Sequence, residues 1–204
     1  IGREYGSGGR QIGEIVAKTL GINFYDKNLI TLAAQKSGLS DEFIANNEQR
    51  VRNGFMQNLA ASAAYSSGFF SSQYLPLSES IFISEAQVIR DIAAKESAVI
   101  VGRCADYVLK DRPNTISVFL KAEMQSKVER AVKYYGVDPQ KAEDRIRKAD
   151  KQRASYDNYY ATATWGDVNN YDLCVDTGKL GVEGTAELIA RFVELRQAML
   201  EAKK

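Results

Sequence analysis

The residues best placed to do chemistry stand at the start of the chain. In Arg3-Glu4-Tyr5-Gly6-Ser7-Gly8-Gly9-Arg10-Gln11, three glycines precede Ile12, Ile15, Val16 and Leu20, an apolar series at helical spacing. Glycine reaches positive φ freely and lets backbone N–H groups approach a ligand closely. A helix behind such a loop aims its unpaired N–H groups, and the positive end of its dipole, at the same point. That arrangement binds anions, most often phosphate. The standard phosphate loop reads G-x-x-x-x-G-K-[ST]. With Gly8 as its second glycine, this chain carries Arg3 at the first glycine, Gly9 at the lysine and Arg10 at the Ser/Thr. Arg10, one residue late, is the cation expected to replace the lysine. An ordinary glycine-rich turn with an exposed arginine is the plainer alternative.

Other chemistries are closed off by composition. There is no histidine, so Ser-His-Asp, Cys-His and His-metal sites are excluded and general-base work falls to carboxylates. Cys104 and Cys174 match no metal spacing and suggest thiols in a reducing, cytoplasmic setting. With 27 basic against 26 acidic residues, nothing suggests a nucleic-acid surface, so an anion site must be local. No apolar run approaches the roughly 18 residues that span a membrane. The chain lacks an initiator methionine and a signal-peptide pattern, and is expected to begin inside its first strand. A second charged set, Arg145, Arg147, Asp150 and Arg153, places Arg147 with Asp150, and Asp150 with Arg153, three apart on a helix face. A solvated helix with surface ion pairs is the bland reading of that run.

The elements that must position these groups alternate. The spacing predicts a helix over 10–20 stopped by Gly21, then a strand over 22–25 with Asp26 at its carboxyl end. Asp26 there is either the N-cap of the next helix or a carboxylate that holds Mg²⁺ near phosphates. Helical segments are expected after residue 28 and from 41, and an aromatic-bearing Ser/Gly/Ala-rich loop over 58–76. A helix over 78–95 leads to the apolar strand 98–101, and a second buried strand covers 116–120. Helices over 123–135 and 139–160, a strand over 173–176 and a terminal helix after Gly181 complete the pattern. Alternating strands and helices call for a doubly wound parallel sheet with helices on both faces, an α/β fold.

Five runs resemble the cytidylate kinase-like family of P-loop nucleoside monophosphate kinases over nearly the whole length. They are residues 3–10, Phe24-Tyr25-Asp26-Lys27, Val99 to Asp106, Asp150 to Tyr156 and Asn170 to Thr177. The resemblance implies a P-loop NTPase-type core (1–40, 96–136 and 170–204), an acceptor-binding helical segment (41–95) and a helical lid (137–169). It implies ATP and Mg²⁺ as cofactors and a small phosphorylated acceptor, CMP or dCMP leading; whether the chain forms a homo-oligomer is left open by the sequence. Tyr5, Gly6, Ser7, Gly8, Gly9, Arg10 and Gln11 would bind ATP. Asp26, Arg90, Arg103, Asp106, Asp150 and Arg153 would bind the acceptor; Arg10, Asp26, Arg147 and Arg153 would serve catalysis, with Asp26 toward the metal. Thr177 to Gly181 would border the adenine. Three departures stand out: Gly9 replaces the lysine, Val101 the aspartate before Gly102-Arg103, and Thr31 or Leu32 an arginine. They keep two alternatives open, a kinase for another small acceptor and a nucleotide-binding regulatory or scaffold protein.

Overall fold

A computed structural model describes residues 1–26, 77–161 and 163–202. The expectations for the helices after 28 and 41, the 58–76 loop and Thr31 and Leu32 lie outside the described residues. The chain forms two compact units, Ile1–Asp26 with Ile92–Lys204, and Lys27–Asp91.

The first unit holds β1 (Gly2–Arg3), β2 (Asn23–Tyr25), β3 (Ala98–Ile100), β4 (Val118–Lys121) and β5 (Leu173–Asp176). All pairings are parallel, in the orders β1-β4-β5 and β2-β3. The Gly102 N–H donates to Ile1 O at 3.0 Å, one backbone bond from the end of β3 to the residue before β1. Parallel register lines up the carboxyl ends: Arg3 opposite Leu120, Tyr25 opposite Ile100, Lys121 opposite Asp176. Those ends are where parallel sheets bind ligands. The fold is thus mixed α/β with a parallel arrangement of strands.

Helix α1 (Gly9–Leu20) buries Ile12, Val16 and Ala17, and packs on β2, β3 and the terminal helix α6 (Thr177–Glu201). Its Gly13 permits a close approach, since a Cβ there would stand 2.9 Å from both Phe24 and Val101 side-chain atoms. Gly21 closes it in the left-handed conformation, φ 65°, as its sequence position predicts. Val99, Val101, Leu120, Val175 and Ile189 complete this core.

Between β3 and β4 lies a short helix, α3 (Ala105–Val108), absent from the sequence expectation. Helix α2 (Leu77–Lys95) begins in the second unit. Helix α4 (Met124–Tyr135) packs on α5 (Ala142–Tyr160), burying Ala131, Ala142 and Ile146. The single helix expected over 139–160 is divided. Asp138 accepts from Gln140 N at 3.0 Å and caps a 3₁₀ turn, Pro139–Lys141, before α5 starts. The terminal helix also departs from expectation: Asp176 caps it at Thr177, and Gly181 (φ 69°, ψ −176°) interrupts it after one turn. No helix among the described residues is long and apolar enough to cross a membrane.

Candidate active site

The glycine loop is fixed by what lies beneath it. Gly6 has φ 81°, and a Cβ on it would stand 2.8 Å from the Lys127 carbonyl oxygen, so the loop rests directly on α4. Ser7 is fully buried, and its hydroxyl donates to Glu4 O at 2.8 Å. Gly8, φ 78°, is the N-cap of α1 and supplies no side-chain cap. Ile12 N donates to Gly8 O at 3.0 Å. The Gly9, Arg10 and Gln11 amides ahead of it lack intrahelical acceptors and suit an anion.

A buried lysine ties the loop to α5. Lys127 Nζ lies 3.1 Å from Glu4 Oε2 and 3.1 Å from Asp150 Oδ2. Glu4 Oε2 also accepts from Ala122 N at 3.1 Å, and Asp150 Oδ1 from Tyr5 N at 2.5 Å. Three residues on, Arg153 Nη1 donates to Arg3 O at 2.9 Å, with its guanidinium 5.7 Å from the centre of the Tyr5 ring. Tyr5 stacks edge-on against Tyr135 at 5.4 Å. Asp150 and Arg153, on one face of α5, both grip the loop, as their spacing predicts. Arg147 does not: it is exposed and pairs with Glu143 at 2.5 Å.

Arg3 crosses the mouth of the loop. A Cβ on Gly9 would stand 2.8 Å from Arg3 Cγ, and one on Gly102 would stand 2.1 Å from Arg3 Nη1. Gly102, Arg103 and Cys104 all have positive φ (82°, 59° and 52°). Two non-glycine residues in that region mark a turn held against local strain. Burial lowers the Arg3 pKa to about 10; Arg153 and Arg103 add to the fall, while Asp26 and Asp157 oppose it. Burial likewise lowers that of Arg153, against the pull of Asp150.

Behind this turn, Asp157 is pushed up to about 7, first by burial and then by Asp106, against a hydrogen bond from Cys104 and the charge of Arg3. Asp106 is hydrogen-bonded to Tyr171. A raised carboxyl pKa favours the protonated fold, so stability is full below about pH 4 and falls as pH rises toward 7. Asp157→Asn keeps a neutral group there. It should exceed the wild type by on the order of 1–3 kcal/mol above pH 7, and the gain should vanish near pH 4. Urea unfolding at pH 4 and pH 8 measures the difference; a gain that is equal at both would refute the coupling.

The remaining expected residues are distributed as follows. Arg10 is exposed, with Nε 3.0 Å from Glu14 and 3.6 Å from Asp26, so carboxylates flank the cation expected to replace the lysine. Gln11 accepts from Arg130 Nη1 at 2.9 Å. Arg103 and Asp106 bracket the start of α3. Arg90 is exposed on α2, within the Lys27–Asp91 unit. Trp165 packs edge-on against Phe119 at 5.2 Å, and Tyr156 and Tyr159 pack on Tyr160, as expected of packing aromatics. Cys104 is buried and Cys174 half-buried, and neither is in a disulfide. Among the described residues no group of three or more Cys, Asp or Glu is arranged to hold a metal.

Sequence reasoning missed Arg3, Lys127, Arg130 and Asp157 as site residues. Lys127 carried a signal, because it falls on the stripe Met124, Val128, Ala131 and interrupts an apolar face with a charge. Arg130 lines a cleft of about 450 Å³ with Gln11, Ile15, Tyr134, Gly181 and Val182, beside the start of α1.

The cytidylate kinase-like family model matches residues 1–179, and the chain belongs to that family. It is also similar to an uncharacterized protein from Eubacterium ventriosum ATCC 27560, known from a crystal structure. The two are 30% identical over 95% of each chain, with a TM-score of 0.68. No curated protein matches it. Family membership makes the molecule kinase-like, with a function related to nucleotides.

Proposed function

We propose that this chain transfers a phosphoryl group from ATP to a nucleoside monophosphate, on a P-loop NTPase-type fold with α5 as its lid. The observation that carries this reading is the start of α1, which has no side-chain cap and whose Gly9 lies against Arg3, itself within the field of Arg103 and Arg153. Phosphoryl transfer is catalysed mainly by positioning and by neutralising charge, and guanidinium groups suit both tasks.

The residues fit a nucleoside triphosphate. A Cβ on Gly8 would stand 3.2 Å from Arg130 Cζ and Val182, so only glycine leaves the cradle open. The neighbouring cleft sets the Arg130 guanidinium 5.4 Å from the Tyr134 ring and ends at the Gly181 break, a shape suited to a purine base. Asp26, partly exposed and beside Arg10, is the carboxylate placed to reach a magnesium ion through water. The ion would offset the charge of the phosphates. Arg103 would orient the acceptor phosphate, with Asp106 beside it. Asp150, already engaged by Tyr5 N and Lys127, would serve this site by holding the loop. Two cysteines outside any disulfide fit a reducing, cytoplasmic setting.

Two measurements test the reading together. ATP with Mg²⁺ should raise the melting temperature by several degrees, because it binds only the folded state. ADP release should then depend on an acceptor from a panel of CMP, dCMP, UMP, AMP and small alcohols. A thermal shift without turnover on any acceptor would favour a nucleotide-binding scaffold, the reading to which Gly9 at the lysine position points. Turnover with an alcohol alone would reassign the acceptor.

A further inference from the structure

We propose that Arg3 is the polyphosphate-binding cation of this loop: the first-glycine and lysine positions of the standard motif have exchanged roles, with Arg3 giving the charge and Gly9 the space. The inference rests on the phosphate-loop reading above and names the residue that makes that loop work.

The geometry is reciprocal. A lysine at position 9 would have to start from a Cβ 2.8 Å from Arg3 Cγ and 2.9 Å from Arg3 Cβ, where the Arg3 stem already runs. Glycine at position 9 is what lets that stem pass. The guanidinium then lies against Gly102, where a Cβ would stand 2.1 Å from Nη1, 2.8 Å from Cζ and 3.0 Å from Nη2. Two glycines thus clear a channel for one side chain, from the carboxyl end of β1 to the strained turn after β3. That channel crosses the place where phosphates held by the α1 amides would project.

Arg3 makes no ion pair among the described residues, and Asp26 and Asp157 attract it only from farther off. Lys127 is neutralised by Glu4 and Asp150, Arg10 lies beside Glu14 and Asp26, and Lys179 pairs with Glu123 at 3.0 Å. Arg130 donates to Gln11. Among the described residues, no carboxylate comes within 4.0 Å of the Arg3 guanidinium, while Arg103 and Arg153 repel it. A half-buried guanidinium near two others, with no ion-pair partner among the described residues, is stabilised by an incoming dianion through bidentate, charge-assisted bonds.

The test uses calorimetric titration of Mg·ATP, and of inorganic tripolyphosphate, into the whole chain and its variants. Folding is checked by circular dichroism. Arg3→Gln should weaken both ligands by about 10- to 100-fold, the size of a lost charge-assisted pair. Arg3→Lys should keep most of the affinity, which a role in packing the guanidinium plane alone would not allow. The decisive variant restores the standard pattern: Arg3→Gly should lose affinity, and Arg3→Gly with Gly9→Lys should recover most of it. A double variant no tighter than Arg3→Gly overturns the exchange, as does an Arg3→Gln chain that binds within twofold of the wild type. Should Arg3→Gln fail to fold, Arg3→Lys and the double variant decide alone. A wild-type chain that binds neither probe overturns the phosphate-loop reading itself, a result distinct from either of these.

Discussion

Lys127→Met is expected to lower the unfolding free energy by about 3–5 kcal/mol, because removing one partner of a buried ionic set leaves the others uncompensated. In this chain those others are two carboxylates, Glu4 and Asp150, which share the one ammonium at 3.1 Å each. Lys127 is only 8% exposed at its side chain, so water cannot replace it. For a protein of this size the loss should lower the melting temperature by on the order of 10 °C. Neutralising the carboxylates as well, in Lys127→Met with Glu4→Gln and Asp150→Asn, should recover much of it. Chemical denaturation of the single and triple variants supplies the comparison. A single variant within 1 kcal/mol of the wild type would show that the lysine is not the keystone of the loop.

Arg153→Met should reduce turnover by on the order of a hundredfold or more, the scale of a lost positioning group in phosphoryl transfer. The contrast with Arg147→Met makes this informative. Both arginines sit on α5, but Arg153 is bonded to Arg3 O at 2.9 Å and lies over Tyr5, whereas Arg147 is 65% exposed and tied to Glu143. An exposed i,i+4 pair contributes little, so Arg147→Met should stay within about twofold of the wild type. Initial rates with Mg·ATP and the preferred acceptor measure both. Equal losses in the two variants would mean that α5 acts through its overall charge rather than through a particular side chain.

Much of this organisation was legible in the sequence. The glycine loop opening a helix, the Gly21 stop and the strands at 98–101 and 173–176 follow from local chemistry, where few conformations compete. Family membership was legible for the same reason, since four of its five runs lie at strand ends and turns. The 3₁₀ turn at Pro139 and the break at Gly181 were harder, because helical periodicity continues across both. The allocation of the arginines was the least legible. Sequence spacing puts Arg10 nearest the missing lysine, yet its side chain leaves the loop along the outer face of α1 toward Glu14. Arg3 was hidden by its place at a glycine position, and only the close approach to Gly102, 99 residues away, reveals where its charge goes. Contacts of that range carry no local signature.

The depth of Arg3 has a bearing on which cation evolution could place there. Its guanidinium still titrates at about 10 after the cost of burial and of two neighbouring positive charges. An ammonium starts lower, near 10.4, and the same surroundings would lower it further. Its proton would therefore come off closer to the mildly alkaline range. Arginine carries its proton well clear of that range. The residue type at position 3 therefore insulates the loop from ambient pH.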